Sequence, residues 1–161
     1  MMDFEKKKQH LETLNDSEWF NEVCELFSKE NNIQVLDFMK IFGNTNDLIE
    51  KDKRGSKFLI PFDKRFKNIS INPDIENENI NSVLESCSFV GSEFCLKKSL
   101  ILDKFKTYQT IEDYQTESTN LLFENIPSEY NFKQVIVGIN IEIYDFNHEK
   151  DYVFHYVKFR F

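Results

Sequence analysis

The sequence predicts an α+β protein in which short helices pack on an antiparallel β-sheet, arranged as two tandem units of one helix plus four strands. Three observations carry this expectation. Apolar residues recur at helical spacing in the first quarter of the chain, they alternate one-in-two further on, and the order helix-then-hairpin returns at a constant offset of 63 residues.

The first 14 residues include Glu5, Lys6, Lys7 and Lys8 and are followed by no apolar run, so they lack the middle segment of a secretory signal. Asn15 to Ser17 offers helix caps ahead of Trp19, Phe20, Val23, Leu26 and Phe27, whose spacing places them on one helical face. Val35, Leu36, Phe38, Met39 and Phe42 give a second helix, and Gly43 stands where a left-handed terminating residue is expected. The period then changes. Segments 47–52 and 57–62 flank Lys53-Arg54-Gly55-Ser56 as a hairpin, 67–72 alternates through Ile69 and Ile71 until Pro73 ends it, and 79–90 reads as a fourth strand.

Aligning Phe42 with Phe105 sets Phe38 and Met39 over Ile101 and Leu102, Leu48 over Ile111, and Phe58-Leu59-Ile60 over Leu121-Leu122-Phe123. The pattern suggests one compact domain, 1–161, with an internal duplication of 17–90 onto 97–161. The second unit then has its helix at 97–106 and strands near 108–114, 120–126, 133–144 and 151–161.

The last two strands alternate most clearly. Val135, Val137, Ile139, Ile141 and Ile143 share one face, and the final strand sets Val153, His155, Val157, Phe159 and Phe161 against Tyr152, Phe154, Tyr156, Lys158 and Arg160. The short loop 145–150 requires that they run antiparallel. With the Val153 set under the helices, the open face carries Glu142, Tyr144, Tyr152, Phe154, Tyr156 and Arg160, which are the candidate partner-binding residues. The plainer alternative is that these aromatics are core, and a one-residue slip would exchange the two faces.

Short helices leading into a four-stranded antiparallel sheet, repeated in tandem, with Phe42-Gly43 closing the helix before the first strand, resemble the β-lactamase-inhibitor-protein-like fold. Phe105-Lys106 departs from that pattern in the second unit. The resemblance covers roughly residues 17–161 and implies two sheets forming a concave surface that binds another protein.

Composition narrows the functional classes. Apolar residues make up 40% of the 161 and aromatics 15%, enough to build a core, while a net charge of −8 opposes nucleic-acid binding and would attract a basic partner. No GxSxG, GxxxxGK[ST] or GxGxxG occurs, and His10, His148 and His155 lack metal-ligand spacing, so no catalytic residue, cofactor or metal site is expected. Asp74 to Glu85 echoes a calcium loop but has Asn79 where the turn needs Gly. The basic cluster of Lys51, Lys53, Arg54, Lys64, Arg65 and Lys67 could form a turn-borne anion site, and more simply reads as a charged hairpin tip that discourages edge pairing. Three cysteines, Cys24, Cys87 and Cys95, suggest free thiols in a reducing compartment, hence the cytoplasm; loss of a leader would instead imply the periplasm or secretion. No membrane span is expected. The favoured reading is a non-enzymatic protein-binding module, such as an immunity protein or inhibitor that binds a toxin or enzyme through an open sheet face. The alternatives are a small-ligand binder with an apolar pocket between sheet and helices, and an enzyme whose site is assembled from scattered residues.

Overall fold

Side-chain hydrogen bonds mark the starts of the first three described helices. The computed structural model describes residues 3–51, 57–73, 83–91, 93–113, 118–138 and 153–161. Helix α1 (Phe4–Thr13) begins at Asp3, whose side chain accepts the Lys6 N–H at 3.2 Å. Its apolar stripe is narrow, with only Leu11 fully buried, so hydrophobic periodicity does not reveal it; a cap and a run of good helix formers suffice once it packs on its neighbours. Helix α2 (Asp16–Leu26) opens with a capping box: Asn15 accepts from the Glu18 N–H and the Glu18 carboxylate accepts from the Asn15 N–H. Helix α3 (Val35–Phe42) is held at its start by Asp37, which accepts the Gln34 N–H at 3.1 Å.

Gly43 is not left-handed. It has φ −84° and ψ 148° because α3 passes directly into strand β1 (Gly43–Lys51), and the Phe42 carbonyl is satisfied by the Phe62 N–H at 3.0 Å. A positive φ occurs instead after α4 (Lys98–Phe105), where Lys106 has φ 68° and ψ −54°, outside the left-handed helical region. The Thr107 N–H donates to the Phe105 carbonyl at 2.8 Å, closing a three-residue γ-turn on a residue that carries a side chain.

The remaining strands are β2 (Lys57–Pro61), β3 (Asn68–Pro73), β4 (Leu84–Val90), β5 (Leu96–Lys97), β6 (Gln109–Asp113), β7 (Ser118–Phe123), β8 (Gln134–Gly138), β9 (Val153–Phe154) and β10 (Tyr156–Arg160). Seven of them join β1 in one sheet in the order β1-β2-β3-β4-β10-β8-β7-β6, and every neighbouring pair is antiparallel. Two four-stranded meanders therefore meet at β4 and β10, and α4 starts and ends 63 residues after α3. The resemblance drawn from the sequence implies two sheets; here hydrogen bonding is continuous across the junction.

Strands β5 and β9 pair apart from this sheet, and a break separates β9 from β10 in what the alternation predicts as one final strand. The bend falls at His155. Its N–H donates to the Gly138 carbonyl at 3.1 Å, its carbonyl accepts from Gly91, and its Nδ1 lies 2.7 Å from the Phe94 carbonyl.

All four helices contribute to a core on one face of the sheet. Trp19 sits edge-on to Phe89 and Phe94, with centroids 4.9 and 5.2 Å away, and Phe27 meets Phe159 at 5.1 Å. From α4, Phe105 reaches Phe20, Phe123 and Phe132. Burial of such rings dominates the stability of a chain this rich in Phe, at roughly 2–3 kcal/mol for each fully buried side chain relative to exposure. Val157 and Phe159 of β10 are fully buried on this side, so β10 presents its other face away from the helices.

Arg65 is no part of a charged hairpin tip. Its Nη2 donates to the carbonyls of Leu11, Glu12 and Leu14 at 3.3, 3.2 and 2.5 Å, Nη1 reaches Asp16 at 3.0 Å, and Nε lies 2.9 Å from Asp63. The planar fork ties three carbonyls of the α1–α2 corner to Asp16 and Asp63, adding to the Leu14 N–H that already donates to the Leu11 carbonyl. Asp16 also accepts the Cys95 N–H, tying the segment before β5 to the same corner.

Candidate functional site

Strand register assembles a continuous surface on the face away from the helices. Asn68, Val90, Tyr156, Gly138, Asn120 and Ile111 stand side by side across the sheet. The adjacent row is Ser70, Ser88, Lys158, Ile136 and Leu122, and the next is Asn72, Ser86, Arg160 and Gln134. A groove of about 540 Å³ opens over the second meander, lined by Val90, Ile111, Asn120, Ile136, Gly138, Tyr156, Lys158 and Arg160.

Glycine shapes the groove. A Cβ on Gly138 would collide with the Asn120 side chain and lie 3.5 Å from the Tyr156 ring, so the close approach of those two groups over β8 requires glycine there. The floor carries positive charge. Lys158 and Arg160 alternate with buried Phe159 and therefore point the same way, roughly 7 Å apart along the strand. Arg160 Nη1 donates to Gln134 Oε1 at 3.3 Å, and Gln134 Nε2 donates to Glu124 Oε2 at 3.2 Å, so an amide stands between the guanidinium and that carboxylate. Ser70 and Ser88 share a hydroxyl–hydroxyl hydrogen bond beside Lys158.

Burial lowers the Lys158 ammonium below the ordinary lysine range, and the neighbouring Arg160 charge pushes it the same way. Burial raises the Tyr156 phenol to about 12 against the pull of Arg160, so it remains a neutral hydroxyl at physiological pH.

Of the residues expected on this surface, Tyr156 and Arg160 lie on it together. Phe154 does not: it is 2% exposed and packs in the core, because the bend at His155 shifts the alternation by one residue ahead of β10. Glu142, Tyr144 and Tyr152 lie outside the described residues. Asn120 and Ile111 carry no sequence signal, since β6 and β7 lack a clean apolar alternation, and register alone brings them beside β8, as it brings Val90 of β4 beside Tyr156. Ile136 and Gly138 were legible as the face opposite Val135 and Val137.

Elsewhere the reactive residue types serve packing. The thiols of Cys24 and Cys87 are both raised by complete burial, which keeps them protonated and poorly nucleophilic. The aromatic core lies between sheet and helices. Among the described residues no group of three or more His, Cys, Asp or Glu could hold a metal ion, and no helix is long and apolar enough to cross a membrane. No protein-family model matches this chain, and neither the curated proteins nor the solved structures contain a significant match.

Proposed function

We propose that this protein is a non-enzymatic binding module that engages another protein through the open face of its sheet, in the manner of an immunity protein or an inhibitor that covers a toxin or enzyme. The observation that carries the reading is the groove itself, where a tyrosine, an arginine and a lysine stand on a rigid central strand among Val90, Ile136 and Ile111. Tyrosine and arginine presented beside desolvated apolar groups make up the common composition of interface anchors. The resemblance to the β-lactamase-inhibitor-protein-like fold implies the same use of a sheet surface. Three free cysteines suit a reducing compartment, and the proposed setting is the cytoplasm.

The test uses the purified chain as bait, with Tyr156→Ala and Arg160→Ala as comparisons after each is shown to be folded. The reading expects a stoichiometric protein held by the wild type and weakened by both substitutions, with hydrogen exchange in 134–138 and 156–160 slowed by the partner. A partner that leaves those segments unprotected would overturn it. A small molecule occupying the groove in place of a protein would favour the ligand-binding alternative, since about 540 Å³ lies within the range of small-ligand sites.

A further inference from the structure

We propose that the groove receives an acidic side chain, Asp or Glu, from the partner protein, and that this carboxylate docks between Lys158 and Arg160; the proposal rests on the reading of the open face as a protein-binding surface. The geometry is of two cations on one face of β10, with only Phe159 between them in sequence and Phe159 turned into the core. The neighbours that register sets around them are neutral: Ser86, Ser88 and Val90 from β4, and Gln134, Ile136 and Gly138 from β8. Among the described residues no carboxylate makes an ion pair with either cation. Glu124, linked to this cluster among the described residues, reaches it through the Gln134 amide.

A half-buried cation beside a second cation is electrostatically costly, and an opposite charge brought to both offsets desolvation and repulsion together. The lowered affinity of Lys158 for its proton reports the same stress. The donors fit a carboxylate well. Lys158 offers an ammonium, Arg160 keeps N–H groups beyond the one given to Gln134, and the neutral Tyr156 hydroxyl stands one row away. Apolar walls at Val90, Ile111 and Ile136 suit the methylene groups of an acidic side chain and lower the local dielectric, which strengthens the contact.

The overall charge of −8 selects among anion sources. It repels polyanions such as nucleic acids and acidic lipid surfaces, but it draws in a protein that is basic overall. The partner is therefore a basic protein with one acidic anchor at the centre of its contact surface. Steering comes from the perimeter and register from the groove.

The probe is N-acetyl-glutamate methylamide, titrated into the full chain and followed by amide chemical shifts, with the glutamine analogue and inorganic phosphate as parallel arms. Shifts are expected at Ser88, Ile136, Tyr156, Lys158 and Arg160, with the glutamine analogue binding about tenfold more weakly. Lys158→Met with Arg160→Met should abolish them. Arg160→Glu, at an exposed position that does not endanger folding, should do the same. Equal shifts from glutamate and glutamine, no shifts from either, or tighter binding of phosphate at the same residues would each overturn the carboxylate assignment. The two levels separate with a captured partner. Binding of a Glu-to-Gln variant of the partner's anchor that equals its wild type, with 134–138 and 156–160 still protected from exchange, sinks the acidic anchor alone, whereas a partner that protects neither segment sinks the open-face reading as well.

Discussion

The Asn120 side chain occupies the position that a Cβ on Gly138 would take, so one missing side chain on β8 lets an amide from β7 lie over the strand next to Tyr156. Gly138→Ala should push that amide aside. The displaced atom is the far end of a side chain, so stability is expected to change by less than about 1 kcal/mol while partner affinity falls. Urea denaturation and a binding titration on the same variant would check the separation.

Gly91→Ala should behave in the opposite way. There a Cβ would meet the Arg65 carbonyl and stand 2.9 Å from Phe94 Cβ, and the backbone has no comparable freedom to yield. A loss of about 2–3 kcal/mol is expected, with a lower denaturation midpoint and no change confined to the groove. A variant as stable as the wild type would show that the β4 exit relaxes more easily than its packing implies.

Arg65→Lys removes the fork that joins three carbonyls of the α1–α2 corner to Asp16 and Asp63. Lysine keeps the charge but cannot reach these groups together. The expected cost is about 3 kcal/mol, because the guanidinium and Asp63 are mostly buried, with side chains 12% and 15% exposed. Chemical denaturation would measure it, and hydrogen exchange should quicken in α1 before the sheet.

Lys106→Gly should stabilise the protein. The residue holds φ 68° in a γ-turn that glycine adopts without steric cost, so a gain of about 1 kcal/mol and a rise of roughly 2–4 °C in Tm are expected. A fall in Tm would mean that the lysine side chain contributes more than the turn costs.

Alkaline pH gives a signed prediction. The Tyr156 phenol is raised from 10.0 to about 12 in the folded state, so between those values the native protein holds a proton that the unfolded chain has released. That contribution to stability is full below pH 10 and is lost as pH rises toward 12. Lys158, lowered from 10.5, acts in the opposite sense, as its contribution becomes more favourable with rising pH up to the unfolded value. Tyr156→Phe should therefore flatten the alkaline fall in stability; part of the slope remains from Tyr130, which burial also raises.

Residues with one dominant partner type were legible from sequence. Trp19, Phe20 and Val23 announced α2, the matched spacing of Phe38 and Phe42 with Ile101 and Phe105 located α3 and α4, and the alternation around Val157 and Phe159 identified the buried side of β10. What failed depended on contacts distant in sequence. Helix α1 lacks an apolar stripe of its own, Arg65 acquires its role from residues about 50 positions earlier, and Phe154 turns inward because His155 bonds to Gly138 and Phe94. The groove is legible only in half, since Tyr156, Lys158 and Arg160 share a strand while Asn120 and Ile111 join them through pairing.

Strand β10 lies at the middle of the sheet yet is the last of the described strands to leave the ribosome. Until residues 156–160 emerge, the β4 edge of the first meander and the β8 edge of the second are both unpaired, and Phe20, Phe27 and Phe89 lack the cover of Phe159. Folding of the sheet is thus completed after translation of nearly the whole described chain. In that interval the nascent protein exposes two sticky edges and a partly bare aromatic layer, the kind of intermediate that chaperones hold and that aggregates when they do not.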